Sequence, residues 1–132
     1  MKKRQFFKAT IAPIALCALM GINVLAAYDN WTSYETSYLS DVVTSDNTSR
    51  RYTDNSQFGV YVKDKTMWSA PTAQVVNSEG NTRSNTVTLS STGEYLYGGG
   101  NTCETNYKYN LKIKKAWNQV GTDTLTYKFS VR

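Results

Sequence analysis

Between Asn106 and Lys115 the side chains sort by position. Odd positions carry Tyr107, Tyr109, Leu111 and Ile113, and even positions carry Asn106, Lys108, Asn110, Lys112 and Lys114. Successive side chains of a strand point to opposite faces, so this segment reads as a strand with one apolar and one polar face. Thr124 to Arg132 repeats the pattern: Leu125, Tyr127, Phe129 and Val131 on one face, Thr124, Thr126, Lys128 and Ser130 on the other. Wound as helices, the same apolar residues would be scattered around the cylinder. The link Ala116 to Asp123 holds Trp117, Asn118 and Gly121. Two alternating strands joined by a short polar link predict an antiparallel hairpin.

The same pattern extends upstream in shorter pieces. Gln57 to Lys63 sets Phe58, Val60 and Val62 on one face with Tyr61 opposite. Thr72 to Asn77, Asn85 to Ser90 and Gly93 to Tyr97 follow, and Tyr38 to Val43 is a candidate further strand. Polar, Gly-bearing turns separate them: Asn77-Ser78-Glu79-Gly80-Asn81, Ser90-Ser91-Thr92-Gly93 and Gly98-Gly99-Gly100-Asn101. Thr, Tyr, Val and Trp favour a pleated surface, and good helix formers are scarce. The expectation is an all-β domain, a small antiparallel β-sandwich or open barrel of about 6 to 7 strands. Its core lies in residues 57–132, preceded by an arm or loop at 27–56 that holds the candidate first strand. Phe58, Tyr61, Tyr107, Tyr109, Tyr127 and Phe129 are the aromatic core expected.

Before that domain comes a leader. Lys2, Lys3, Arg4 and Lys8 precede a largely apolar run from Ala9 to Leu25, and Val24-Leu25-Ala26 offers small or modest side chains to a signal peptidase. A basic segment, an apolar segment and a cleavage site in that order describe a signal peptide at 1–26. Cleavage is expected after Ala26, with Ala27 as the next choice, and the product is expected outside the cell. A retained anchor is the competing reading, disfavoured by Pro13, Gly21 and Asn23 within the run. The whole chain has 132 residues and a formal charge of +5. Four of its 15 basic residues lie in the leader, which leaves 11 against 10 acids and a net charge of +1. Nucleic acid is therefore not an expected partner. Lys108, Lys112 and Lys114 would form a short basic stripe, read as a solvated sheet face.

The catalytic inventory is thin. The chain has no histidine, which excludes His-dependent triads and Cys/His zinc sites. Cys103 is the one thiol after the leader, read as a buried small apolar side chain, with a disulfide-linked dimer as the alternative. Glu94 and Glu104 flank the glycine run and are the carboxylate pair to consider for hydrolysis, with two exposed sheet residues as the favoured reading. Asp41 to Asn47 and Asp54-Asn55 offer oxygens but lack the spacing of a calcium loop, and read as flexible polar loop. No cofactor and no metal is expected, and no enzyme activity. What remains is aromatic. Trp31, Trp68 and Trp117 each fall in or beside a loop, where an indole stacks on a sugar ring or enters a lipid headgroup layer. These three are the candidate ligand-binding residues, and Tyr28, Tyr34 and Tyr38 add aromatic weight near the mature N-terminus.

Gly59-Val60-Tyr61-Val62-Lys63, Gly93-Glu94-Tyr95-Leu96 and Glu104-Thr105-Asn106-Tyr107-Lys108-Tyr109-Asn110-Leu111-Lys112 are arranged as a Tyr-Val strand, a turn-led strand and a closing strand. With the leader, this layout resembles an uncharacterised family of small secreted all-β proteins of Gram-positive bacteria. The resemblance covers roughly Gln57 to Val131 and implies export and fold, with no activity attached. The function expected is that of a secreted non-catalytic binder of cell wall, glycan or protein. The alternative is a bacteriocin-like or membrane-active toxin.

Overall fold

A computed structural model describes residues 31–51, 56–100 and 102–132. The leader, with Ala26 and Ala27, as well as Tyr28 and the Asp54-Asn55 pair, lie outside the described residues. Nine strands occur among them: β1 Glu35–Leu39, β2 Val42–Thr44, β3 Ser49–Arg50, β4 Phe58–Lys65, β5 Thr72–Val76, β6 Val87–Thr88, β7 Tyr95–Gly98, β8 Lys108–Lys114 and β9 Asp123–Val131. They form two antiparallel sheets, one ordered β1-β9-β4-β7 and the other β2-β8-β5-β6, with β3 also paired to β8. The chain is an all-β sandwich. It holds more strands than the six or seven expected because the stretch at 35–50 contributes three: the candidate strand Tyr38 to Val43 is broken between β1 and β2, and β3 is only two residues long. Leu39 of β1 is fully buried, so this part of the expected arm belongs to the sandwich.

The alternation predicted for β4, β8 and β9 holds because each strand has one face against the opposite sheet. Phe58, Val60, Val62, Leu111, Ile113, Leu125, Tyr127 and Phe129 are fully buried, and they meet in one core with Leu39, Val75, Leu89 and Tyr109. Burial of apolar area at about 25 cal/mol per Å² is the main force holding the sheets together. Two expected core aromatics are not there. Tyr61 faces outward from β4, opposite in parity to Phe58 and Val60, and is only half-buried. Tyr107 is exposed, because the chain turns at Asn106 (φ 71°) and strand geometry begins only at Lys108.

The predicted β8–β9 hairpin is also not formed. β8 pairs with β2, β3 and β5, while β9 pairs with β1 and β4. The link between them crosses from one sheet to the other. The β1–β2 and β4–β5 connections cross likewise. Asp41 to Asn47, expected as loop, contains β2. Buried serines join the pieces: Ser45 Oγ accepts the Leu111 N–H (2.9 Å), Ser84 Oγ that of Val75 (2.8 Å) and Ser49 Oγ that of Val131 (3.0 Å). The last ties β3 to β9, one strand from each sheet. Each buried hydroxyl thereby satisfies a backbone donor that would otherwise be stranded away from water.

Candidate functional site

The outer face of the first sheet carries the aromatic residues that the core does not use. Tyr61 of β4 stands directly opposite Tyr95 of β7 and Lys128 of β9, and Gly59 stands opposite Tyr97. Trp31 precedes β1 and runs beside β9, where the Thr32 N–H donates to the Phe129 carbonyl at 2.8 Å. Its indole lies over the bare backbone of Gly59. A Cβ at that position would come within 2.6 Å of the Trp31 ring and 3.1 Å of Tyr97. Glycine is what permits the close approach.

Tyr95 is the hub of this array. Its ring centroid is 4.7 Å from Trp31, 4.9 Å from Tyr61 and 6.5 Å from Tyr97, and Tyr34 adds an edge contact to Tyr61 at 6.1 Å. The planes are inclined by 31° to 67° rather than stacked flat. Tyr34, Tyr95 and Tyr97 remain exposed. Desolvation among these neighbours, then Tyr61 and Tyr95 themselves, raises the Tyr34 hydroxyl above the ordinary tyrosine range.

Cations are set into the rings. The Lys128 Nζ lies 5.4 Å from the centroids of Tyr34 and Tyr61, 5.8 Å from Trp31 and 5.9 Å from Tyr95. Lys63 reaches Tyr34 at 5.2 Å, and the Arg132 guanidinium lies 5.2 Å from Tyr97 and 5.5 Å from Trp31. A β-bulge between Val62 and Asp64 leaves Lys63 without a register partner, and such an irregularity re-aims the side chain it frees. Two grooves share the wall Trp31-Thr32-Ser33. One, of about 510 Å³, is completed by Tyr34, Tyr95 and Lys128; the other, of about 390 Å³, by Asn47, Thr48, Ser49, Arg50 and Lys108.

The three predicted tryptophans are not brought together. Trp31 belongs to the sheet face, near the Phe129 end of β9. Trp68 and Trp117 sit at the opposite end, on the β4–β5 and β8–β9 links, and are 72% and 96% exposed. Ser69 joins those links, its N–H donating to Gln119 Oε1 (3.1 Å) and its hydroxyl to Asn118 Oδ1 (3.0 Å). Tyr34, expected to add aromatic weight near the mature N-terminus, does join Trp31, whereas Tyr61, Tyr95, Tyr97 and Lys128 were not among the expected site residues. The available signal was parity: Tyr61 alternates against the buried Phe58, Val60 and Val62.

The remaining candidates fall elsewhere. Glu94 accepts from the Ser91 hydroxyl beside β7, whereas Glu104 lies before β8 in the other sheet, its N–H donating to Tyr109 Oη at 2.6 Å. Cys103 is 4% exposed, and burial pushes its thiol up to about 11 against the opposing pull of Arg51 and Arg83. Lys108 and Lys114 are exposed on the outer face of the second sheet and Lys112 is half-buried there, as the basic stripe predicted. Comparison with protein-family models, curated proteins and solved structures finds no match to this chain.

Proposed function

We propose that this is an exported, non-catalytic β-sandwich that binds a glycan through the outer face of its first sheet. The observation that carries the reading is the array Trp31, Tyr34, Tyr61, Tyr95 and Tyr97, five aromatic side chains gathered on one pleated face. A sugar ring presents C–H faces to such rings and hydroxyls to the polar groups beside them. Thr32, Ser33, Asn47, Thr48 and Ser49 line the adjoining grooves with those groups. The leader pattern, and the resemblance to small secreted proteins of Gram-positive bacteria, support export and make wall polymers the ligands to try first. Retention of the folded protein on purified peptidoglycan, and on a glycan array, tests the reading. Trp31→Ala is expected to abolish retention, and a folded protein held by neither surface would refute it.

A second reading rests on a separate observation. Trp68, Trp117 and Val120, the last 84% exposed, project together from one end of the sandwich. Exposed indoles of this kind enter the headgroup layer of a bilayer, which suits a membrane-active protein. Dye release from neutral and anionic vesicles separates the two readings, since the glycan binder leaves the dye inside.

A further inference from the structure

We infer that the glycan is acidic, and that its anionic group seats on the ammonium of Lys128 between Trp31 and Tyr34. This rests on the glycan reading above and specifies its ligand class.

The argument begins with what surrounds Lys128. Its side chain leaves β9 opposite Tyr61, is half-buried, and ends within 6 Å of four ring centroids. Ring faces attract a cation but do not neutralise it. A partly desolvated ammonium gains most from an anion that completes its shell. Among the described residues no carboxylate pairs with it. Asp123 pairs with Lys115, at the far end of the sandwich. Glu35, the acid on β1, spends both oxygens on the inner side, accepting from Tyr127 Oη at 2.6 Å and from the Asn47 N–H at 2.7 Å. Asp64, past the bulge on β4, is the acid nearest Lys63 in sequence and does not line either groove.

Cations gather at the two grooves although residues 27–132 are close to neutral overall, while the acids Glu35 and Asp46 line a separate hollow beyond Tyr34. The grooves on the two sides of Trp31 contain Lys128 on one and Arg50 with Lys108 on the other, and among the described residues no acid lines either. Lys63 and Arg132 flank the same rings. A polymer that crosses Trp31 with one unit in each groove meets a cation at both. That is the charge complement of a chain bearing repeated anionic groups. Sugar rather than base is favoured by the inclined rings and by the hydroxyl and amide groups between the cations.

The test is direct binding by the purified full chain, using titration calorimetry at low and moderate salt. The probes are polygalacturonate for carboxylate, polyglycerol phosphate for phosphate, dextran as the neutral polymer, and a single-stranded oligothymidylate. Binding of either acidic polymer at least about tenfold more tightly than dextran, weakening with salt, is the expected result. Lys128→Gln should lose about tenfold on the acidic polymer, Lys128→Arg should retain it, and Lys112→Gln on the other sheet should change nothing. Lys108→Gln, in the second groove, supplies an independent loss should Lys128→Gln unfold. Equal binding of dextran and acidic polymers would overturn the inference and leave the glycan reading standing. Tightest binding of the oligothymidylate, or no polymer bound by folded protein, would overturn both.

Discussion

At position 59 any side chain larger than hydrogen meets the indole of Trp31. The ideal Cβ falls 2.6 Å from a ring carbon, well inside contact distance, with Tyr97 closing the other side at 3.1 Å. Trp31 is the piece that gives way, because it sits at the rim of the sheet while Gly59 is held between β7 and β9. Gly59→Ala is therefore expected to keep the fold, at a cost of about 1 kcal/mol, the low end for overpacking, and to lift the indole off the array. In a Trp68→Phe, Trp117→Phe background Trp31 is the sole tryptophan of the chain. Removing the two exposed indoles should itself change stability by no more than about 0.5 kcal/mol. There, Gly59→Ala should shift Trp31 emission to the red and weaken glycan binding about tenfold, with unchanged far-ultraviolet circular dichroism. Unaltered emission would mean that the indole does not rest on Gly59.

The β8–β9 link shows what strand patterns convey and what they leave open. At its two ends Lys115 and Asp123 meet at 3.0 Å, both largely buried, and the Lys115 ammonium also donates to the Gly121 carbonyl. The hydrogen bond from Lys115, joined by those from Thr66 and Gln119, holds the Asp123 carboxyl below the ordinary aspartate range. Its stabilising effect is thus present above the unfolded-state value and is lost as pH falls through the folded one. Removing the acid strands a buried ammonium, so Asp123→Ala should lower the melting temperature by on the order of 10 °C. Lys115→Met combined with Asp123→Ala should recover part of that loss, a non-additivity that a double-mutant cycle detects. Strictly additive effects would show the pair to be uncoupled. Lys115 also bears on legibility. β8 and β9 were readable because each alternates against a core, but alternation does not say which strand lies alongside. A two-residue turn would force a hairpin; a longer link permits a crossing, and here a buried ion pair anchors it. The site was legible at Trp31 and, as aromatic weight near it, at Tyr34. Tyr61, Tyr95 and Tyr97 lie on three-dimensional neighbours, and their convergence depends on β4 pairing with β7, which no local pattern specifies.

At the scale of the whole molecule the two sheets enclose ionisable groups that are neutral when folded. Cys103 lies in the core with its thiol pushed up to about 11, desolvation outweighing the nearby Arg51 and Arg83. Tyr127, fully buried on β9, is raised above the tyrosine range by burial first and then by its hydrogen bond to Glu35. Both groups ionise more readily in the unfolded chain, where Cys titrates near 9 and Tyr near 10. Above pH 9 the unfolded state therefore binds fewer protons than the folded state, and stability declines as pH rises. The two pH units separating folded from unfolded Cys103 correspond to on the order of 2 kcal/mol, lost progressively between about pH 9 and 11. Urea midpoints should hold steady between pH 7 and 8 and fall steadily from pH 9 upward. Cys103→Ala should flatten the first part of that decline. It leaves the steeper fall above pH 10, which belongs to Tyr127 and in which Tyr127→Phe should show its effect. Tyr127→Phe also loses the link to Glu35, so its midpoint should start lower at pH 7 by the equivalent of about 1 kcal/mol or more. A midpoint that stays level to pH 11 in the unsubstituted protein would mean that water reaches Cys103 and Tyr127, and that the sheets do not close over them.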